Sequence, residues 1–201
     1  MNDGQVVRRR TGGRSARVRQ AVLDATLRAV AENGADAVSV PEIARQAGVH
    51  ETSIYRRWGT REHLVIDALL AYSQEQLPIP DTGTLREDLI AFADSLAAYL
   101  HSPFGKALAR SMSAATDDPA LAESREEFWR SRFDLARIMI DRAVSRGELP
   151  ESTDPALALE VLIAPLHFRA LLTRQRVDGH LTGRLVDVLL TGIAANQPQT
   201  R

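Results

Sequence analysis

Three features of the 201-residue sequence predict an all-α fold. Apolar residues recur at helical spacing along most of the chain. No run of alternating, β-branched strand sequence interrupts them. Helix starts and stops are marked by capping residues, prolines and glycines. About nine helices follow from these signals, with no internal repeat.

Ser15 opens the first helix, with Val18, Val22, Ala25, Ala29 and Val30 on one face, and Asn33-Gly34 closes it through a left-handed residue. In "SVPE", Ser39 as N-cap, Pro41 in the first turn and Glu42 at the third position form a capping box. This second helix stops at Gly48. A third covers residues 51–58 and breaks at Gly59, and Thr60 caps a fourth that runs to residue 76. "LPIPDTG" (77–83) is the clearest break in composition and marks a domain boundary. Beyond it, Thr84 and Glu87 form another capping box. Ser102-Pro103, Asp118-Pro119 and Asp154-Pro155 each set an N-cap before a first-turn proline. The helix from Pro119 to Arg146 is unusually long and ends at Gly147. Pro165 falls inside the helix that begins near Pro155 and should kink it. A last helix covers residues 181–195. Three segments result: a disordered basic tail (1–14), a helix-turn-helix domain (15–76) and a larger helical domain (77–201).

Composition narrows the function classes. There is no cysteine, hence no disulfide framework and no thiolate chemistry. The five histidines (His50, His63, His101, His167, His180) show none of the close pairing typical of metal ligands. Neither a metal nor a cofactor is expected. The most apolar region, "ALALEVLIAPLHFRALL", carries Glu160, His167 and Arg169, so no membrane span is expected. The basic N-terminus has no apolar segment behind it and is not a secretory signal. A cytoplasmic protein is expected. No glycine-rich phosphate loop, nucleophile elbow or His-Glu pair at metal spacing points to an enzyme.

The net charge of −1 conceals an asymmetry: residues 1–66 hold 11 arginines against 7 acids, whereas the remainder is acidic. Arg8, Arg9, Arg10 and Arg14 precede the first helix without an apolar partner. A basic end on an acidic body suits a polyanionic partner, although charge alone equally fits a solvated tail.

The segment "AGVHETSIYRRWGTRE" (47–62) sets aromatics beside arginines. Two short helices joined by a glycine turn describe a helix-turn-helix. At about 100° per residue, Ile54 and Trp58 share the inward face of the third helix. Thr52 and Arg56 lie opposite, flanked by Ser53 and Tyr55. A major groove admits one helix, in which Arg pairs with guanine and Thr meets a base edge or methyl. Tyr55, with Ser39 and Thr60 at helix starts, suits phosphate contacts. Helix pattern alone also fits a solvated amphipathic pair.

The stretch "VSVPEIARQAGVHETSIYRRWGTREHLVIDALL" resembles the DNA-binding segment of TetR-type transcriptional regulators. Ser39, Ile43, Ala44, Gly48, Val49, Ile54 and Tyr55 fall on that family's pattern, and the likeness spans residues 15–70. Arg57-Trp58 replaces the usual His-Phe. Arg61 stands where lysine is frequent, which keeps the charge. Glu51, where lysine is also frequent, suits a helix N-terminus but opposes phosphate unless it accepts from a cytosine amino group. His50 is a poor N-cap. The DNA-contacting set the resemblance and the helix geometry imply is Ser39, His50, Glu51, Thr52, Ser53, Tyr55, Arg56, Arg57, Thr60 and Arg61.

The resemblance also implies that the last two helices pair with their copies in a homodimer, for which "ALALEVLIAPLHFRALL" and "LVDVLLTGIA", with Leu185 and Leu189, are suitably apolar, although simple core helices would read the same way. It implies a palindromic double-stranded DNA operator and an unknown small-molecule effector. Phe92, Tyr99, Phe104, Met112, Phe128, Trp129, Phe133, Met139 and Phe168 fit either a core or a pocket. His101 and His167 fit packing or the orientation of a polar ligand group. The candidate ligand pocket is Tyr99, Phe104, Met112, Phe128, Trp129, Phe133, His167 and Phe168. The expected function is a sequence-specific transcriptional regulator, a repressor released by an effector. The alternative is a constitutive architectural DNA-binding protein, for which the long second domain is superfluous.

Overall fold

Residues 12–114 and 119–195 are described by the computed structural model, and among them no strand occurs. Helix α1 (Gly12–Asn33) opens upstream of Ser15, so Arg14 lies on it, its side chain outside the described residues. Arg8, Arg9 and Arg10 also lie outside the described residues. The inward face of α1 is Val22, Leu23, Ala25, Thr26, Ala29 and Val30. Val18, expected on that face, is 40% exposed because it lies beyond the part of the helix that packs. The Thr26 hydroxyl donates to the Val22 carbonyl at 2.8 Å, which lets a polar side chain sit in this core.

Next come α2 (Val40–Ala47) and α3 (Glu51–Trp58). Gly48 joins them at φ 66°, and its amide returns to the Ala44 and Arg45 carbonyls while that of Val49 returns to Ala44. Only glycine takes this left-handed stop without strain. Ile43, Ala44 and Ile54 are buried, so the angle between the two helices is held by an apolar contact. The capping box expected of Ser39 does not form. The Ser39 side chain makes no cap hydrogen bond, and the Glu42 carboxylate, which would complete the box, is instead drawn to Arg45 (Nε 3.0 Å) and Gln46 (2.9 Å) on its own helix. Those bonds hold the Glu42 carboxyl down at about 2.

Helix α4 (Arg61–Gln76) does start on Thr60, whose hydroxyl accepts the His63 amide at 3.2 Å. The chain forms two compact units divided between Ala68 and Leu69, inside α4 rather than at "LPIPDTG".

In the second unit α5 (Leu85–His101) is central, packed against α6 (Pro103–Ala114), α7 (Pro119–Ser145), α8 (Pro155–His167) and α9 (Gly179–Ala195). Thr84 caps α5 by accepting the Glu87 amide at 3.3 Å; Asp154 caps α8 through the Ala156 and Leu157 amides. Asp118 lies outside the described residues. Gly105 lets α6 turn tightly over the end of α5, since a Cβ there would stand 2.1 Å from the Tyr99 carbonyl oxygen. After Pro165 the chain continues as a π-helical turn, Phe168–Thr173, ending at Arg174 with φ 53°. Proline removes one helical donor, and a widened turn downstream is a common accommodation.

The stretch Pro155–Thr173 is, by length and mean hydropathy (1.6), apolar enough to cross a membrane, although Glu160 and Arg169 lie within it. Leu159, Leu162 and Leu166 on one side of it belong to the core, as core helices of soluble domains also do. Its other side keeps Leu157, Val161, Phe168 and Leu172 exposed.

Candidate nucleic-acid interface and ligand cavity

Ile54, 1% exposed, pins α3 from beneath. Glu51, Thr52, Tyr55, Arg56 and Arg57 are all exposed, and Ser53 is half-buried at their edge. A single helix thus presents a hydroxyl, a phenol and two guanidiniums to solvent. Each can donate to a base edge or a phosphate. His50 is also exposed and precedes the helix without capping it by its side chain; its carbonyl accepts the Ser53 amide at 2.9 Å. Ser39 and Thr60 stand exposed at the starts of α2 and α4.

Trp58 is half-buried rather than a fully enclosed anchor, and it holds the helix by a polar bond. Its indole N–H donates to Asp67 at 2.8 Å, and the same carboxylate accepts from Arg19 at 2.7 Å. The Arg57 guanidinium lies 5.5 Å from the centre of the Trp58 ring, a cation–π distance that restrains where its charge sits. Arg61 differs from the other candidates. Its guanidinium donates to the Asp36 carbonyl at 2.6 Å and pairs with Glu62 at 2.8 Å. It is therefore engaged within the N-terminal unit, unlike Arg56 and Arg57 on the exposed face.

The second unit contains a partly open cavity of about 210 Å³. Tyr99, Phe128, Trp129, Phe133 and His167 line it, together with Phe92 and aliphatic residues of α5, α6, α7 and α8. Phe104 does not: its ring packs 4.5 Å from that of Tyr72. Phe168 does not either, being 54% exposed on the π-helical turn. The side chain of Met112 lies outside the described residues.

The polar groups of this cavity are few. His167 uses Nδ1 toward the Ile163 carbonyl at 3.1 Å and meets the Trp129 ring edge-on; burial lowers its pKa and keeps the imidazole neutral. The buried Tyr99 hydroxyl has no hydrogen-bond partner, and desolvation raises its pKa. Ser73 stands beside it but gives its proton to the Leu70 carbonyl at 2.8 Å. Arg132, 7% exposed, donates to the Leu77 carbonyl at 3.3 Å. Ser73, Leu77, Gly105 and Arg132 were not expected at this site. Arg132 was detectable, since it stands four residues after Phe128 and four before Ala136, a cation on an apolar helical stripe.

Comparison with known proteins agrees with this division. Residues 22–68 match the bacterial regulatory proteins of the tetR family, and residues 79–189 match the tetracyclin repressor-like C-terminal domain. The HTH-type transcriptional regulator AqdR of Rhodococcus erythropolis is 38% identical over 201 residues, covering 100% of this chain and 97% of that protein. The DNA-binding transcriptional repressor TetR of Mycobacteroides abscessus is 33% identical over 175 residues, covering 85% and 90%. The crystal structure of the TetR family transcription regulator SCO0332 superimposes with a TM-score of 0.78 at 27% identity, covering 88% of this chain and 98% of that one. With the helix-turn-helix and the helical second unit both matched in order, the chain belongs to the TetR family and is a DNA-binding transcriptional regulator.

Proposed function

We propose that this regulator is a homodimeric, cytoplasmic repressor that reads a palindromic operator with α3 and is released when a small molecule enters the cavity of its second unit. It has no catalytic activity of its own. Within α3, Thr52 and Arg56 read bases, while Ser53, Tyr55 and Arg57, with Ser39 and Thr60, hold the phosphate backbone; His50 and Glu51 touch the edge of the site. The observation that carries this reading is the exposed face of α3 opposite buried Ile54.

Dimerisation has its own support. Leu157 and Val161 on α8 and Val188 on α9 are 57%, 45% and 69% exposed, and an apolar groove between the two helices includes all three. A second copy covers such a face by two-fold symmetry, and two recognition helices then meet two half-sites. Leu189 also borders this groove but is 6% exposed, so most of its side chain belongs to the chain's own core.

Release follows if the ligand prefers a body conformation in which the two recognition helices no longer match both half-sites. Operator affinity then falls by the differential affinity of the ligand for the two conformations. An architectural protein needs no such cavity, and the 210 Å³ cavity favours the regulator. The test is a footprint on genomic fragments selected by the protein. A discrete protected site that a small molecule abolishes supports the proposal. Broad coating of DNA, insensitive to every compound tried, supports the architectural reading instead.

A further inference from the structure

We propose that the effector is an apolar, preferably aromatic, carboxylic acid whose carboxylate pairs with Arg132 and accepts from the Tyr99 hydroxyl. This rests on the reading of the cavity as the effector site and specifies its chemistry.

Arginine is almost never this deeply buried unless paired, because a desolvated charge is strongly unfavourable. Arg132 nevertheless stands 7% exposed with only a long contact, 3.3 Å, to one backbone carbonyl. Among the described residues no carboxylate lies within ion-pair distance of it. Burial lowers its pKa, yet a guanidinium does not lose its proton in a protein, so among the described residues this cation of the cavity wall has no counter-ion. The other buried charge in this unit shows the contrast. Asp88 Oδ1 accepts the amide and hydroxyl of Thr82 at 2.7 and 2.8 Å, and its Oδ2, which has no hydrogen bond, still faces a counter-charge, Arg146 at 3.9 Å.

The second orphan lies close by in the same cavity. The Tyr99 hydroxyl is buried with Ser73 near it but makes no hydrogen bond of good geometry, and its desolvation keeps it protonated, hence a donor. A donor fork and a donor hydroxyl match a group that only accepts, and a carboxylate does so with two planar oxygens. His167 is neutral and adds no second charge, so a singly charged head group neutralises the site. The rest of the lining, with Phe92, Phe128 and Phe133, is apolar and suits a hydrocarbon or aromatic body.

The experiment compares phenylacetate with phenylacetamide, and octanoate with octanamide, binding to the full-length protein by calorimetry. Each pair holds the body constant and changes only the charge of the head. The acids should bind the wild type at least about tenfold more tightly than the amides. R132M should abolish that preference, and Y99F should reduce it by about threefold. Thermal unfolding checks that each variant is folded, and R132Q, which retains donors but not charge, serves if R132M is not. Equal affinity for acid and amide in the wild type overturns the anion site while leaving the cavity an effector pocket. A preference for acids that survives both Arg132 variants overturns it too. Binding of neither member of either pair overturns the proposal together with the reading of the cavity.

Discussion

The indole N–H of Trp58 donates to the Asp67 carboxylate at 2.8 Å, so the last residue of α3 is tied to the middle of α4. Because Asp67 also accepts from Arg19, one carboxylate fastens α1, α3 and α4 together. Trp58→Phe keeps one six-membered ring and removes the pyrrole ring with its N–H, so both the donor and some packing are lost. It should cost about 1–2 kcal/mol of N-terminal stability. Denaturant unfolding followed at the N-terminal unit measures this, and an unchanged midpoint would show that the bond contributes nothing net.

Thr52, Tyr55 and Arg56 are exposed on one helix, but their expected roles differ. Arg56→Ala should weaken operator binding by about 1–3 kcal/mol and relax the preference at one base position. Tyr55→Phe should weaken binding to all sequences alike, since phosphates carry no base identity. Binding-site selection with each variant separates the two. A sequence preference altered by Tyr55→Phe and preserved by Arg56→Ala would require α3 to lie rotated in the groove.

Arg57 and Arg61 should separate in salt dependence. Arg57→Ala should lower the slope of log K against log salt by about one. Arg61→Ala should leave the slope unchanged, because its guanidinium already serves the Asp36 carbonyl and Glu62. Its effect should instead be a loss of about 1 kcal/mol of stability. If the Arg61 variant shows the flatter slope, the bond to Asp36 gives way when DNA binds.

A charge on the exposed apolar face of α8 and α9 should yield monomers. Val188→Glu and Val161→Glu are the variants to use, as both positions are open to solvent in the single chain. Sedimentation at micromolar concentration should show a folded monomer with lost operator affinity. Leu189→Glu should unfold the second unit rather than split the dimer. Dimers persisting in both valine variants would place the subunit contact elsewhere.

Burial holds the pKa of His167 below its ordinary 6.5. Below that pH the unfolded chain takes up a proton that the folded chain refuses, so stability is complete above 6.5 and declines as the pH falls toward the folded value. The midpoint of thermal unfolding should therefore drop as the pH is lowered through 6.5. His167→Gln should flatten that decline. Parallel curves for variant and wild type would mean that the imidazole takes up its proton as readily in the folded chain.

What the sequence determined by itself was local. The all-α class, the glycine turn at Gly48 and the inward Ile54 follow from spacing and from conformations that only certain residues adopt. The resemblance to the family rested on the same short segment. Contacts that join distant parts of a unit were decided by tertiary packing. Arg61 reaches Asp36, Trp58 reaches Asp67, and the Leu85 amide is taken by Glu148 at 2.7 Å. Ser39 matched the motif of a cap, yet its side chain makes no cap bond and Glu42 turns to partners on its own helix. In α9 the apolar run left Val188 and Leu189 indistinguishable, and only packing on α5 and α8 turned one outward and the other inward. Arg132 shows the limit most plainly. Periodicity places it on an apolar face, but its lack of a counter-ion depends on what every neighbouring helix brings to the same cavity.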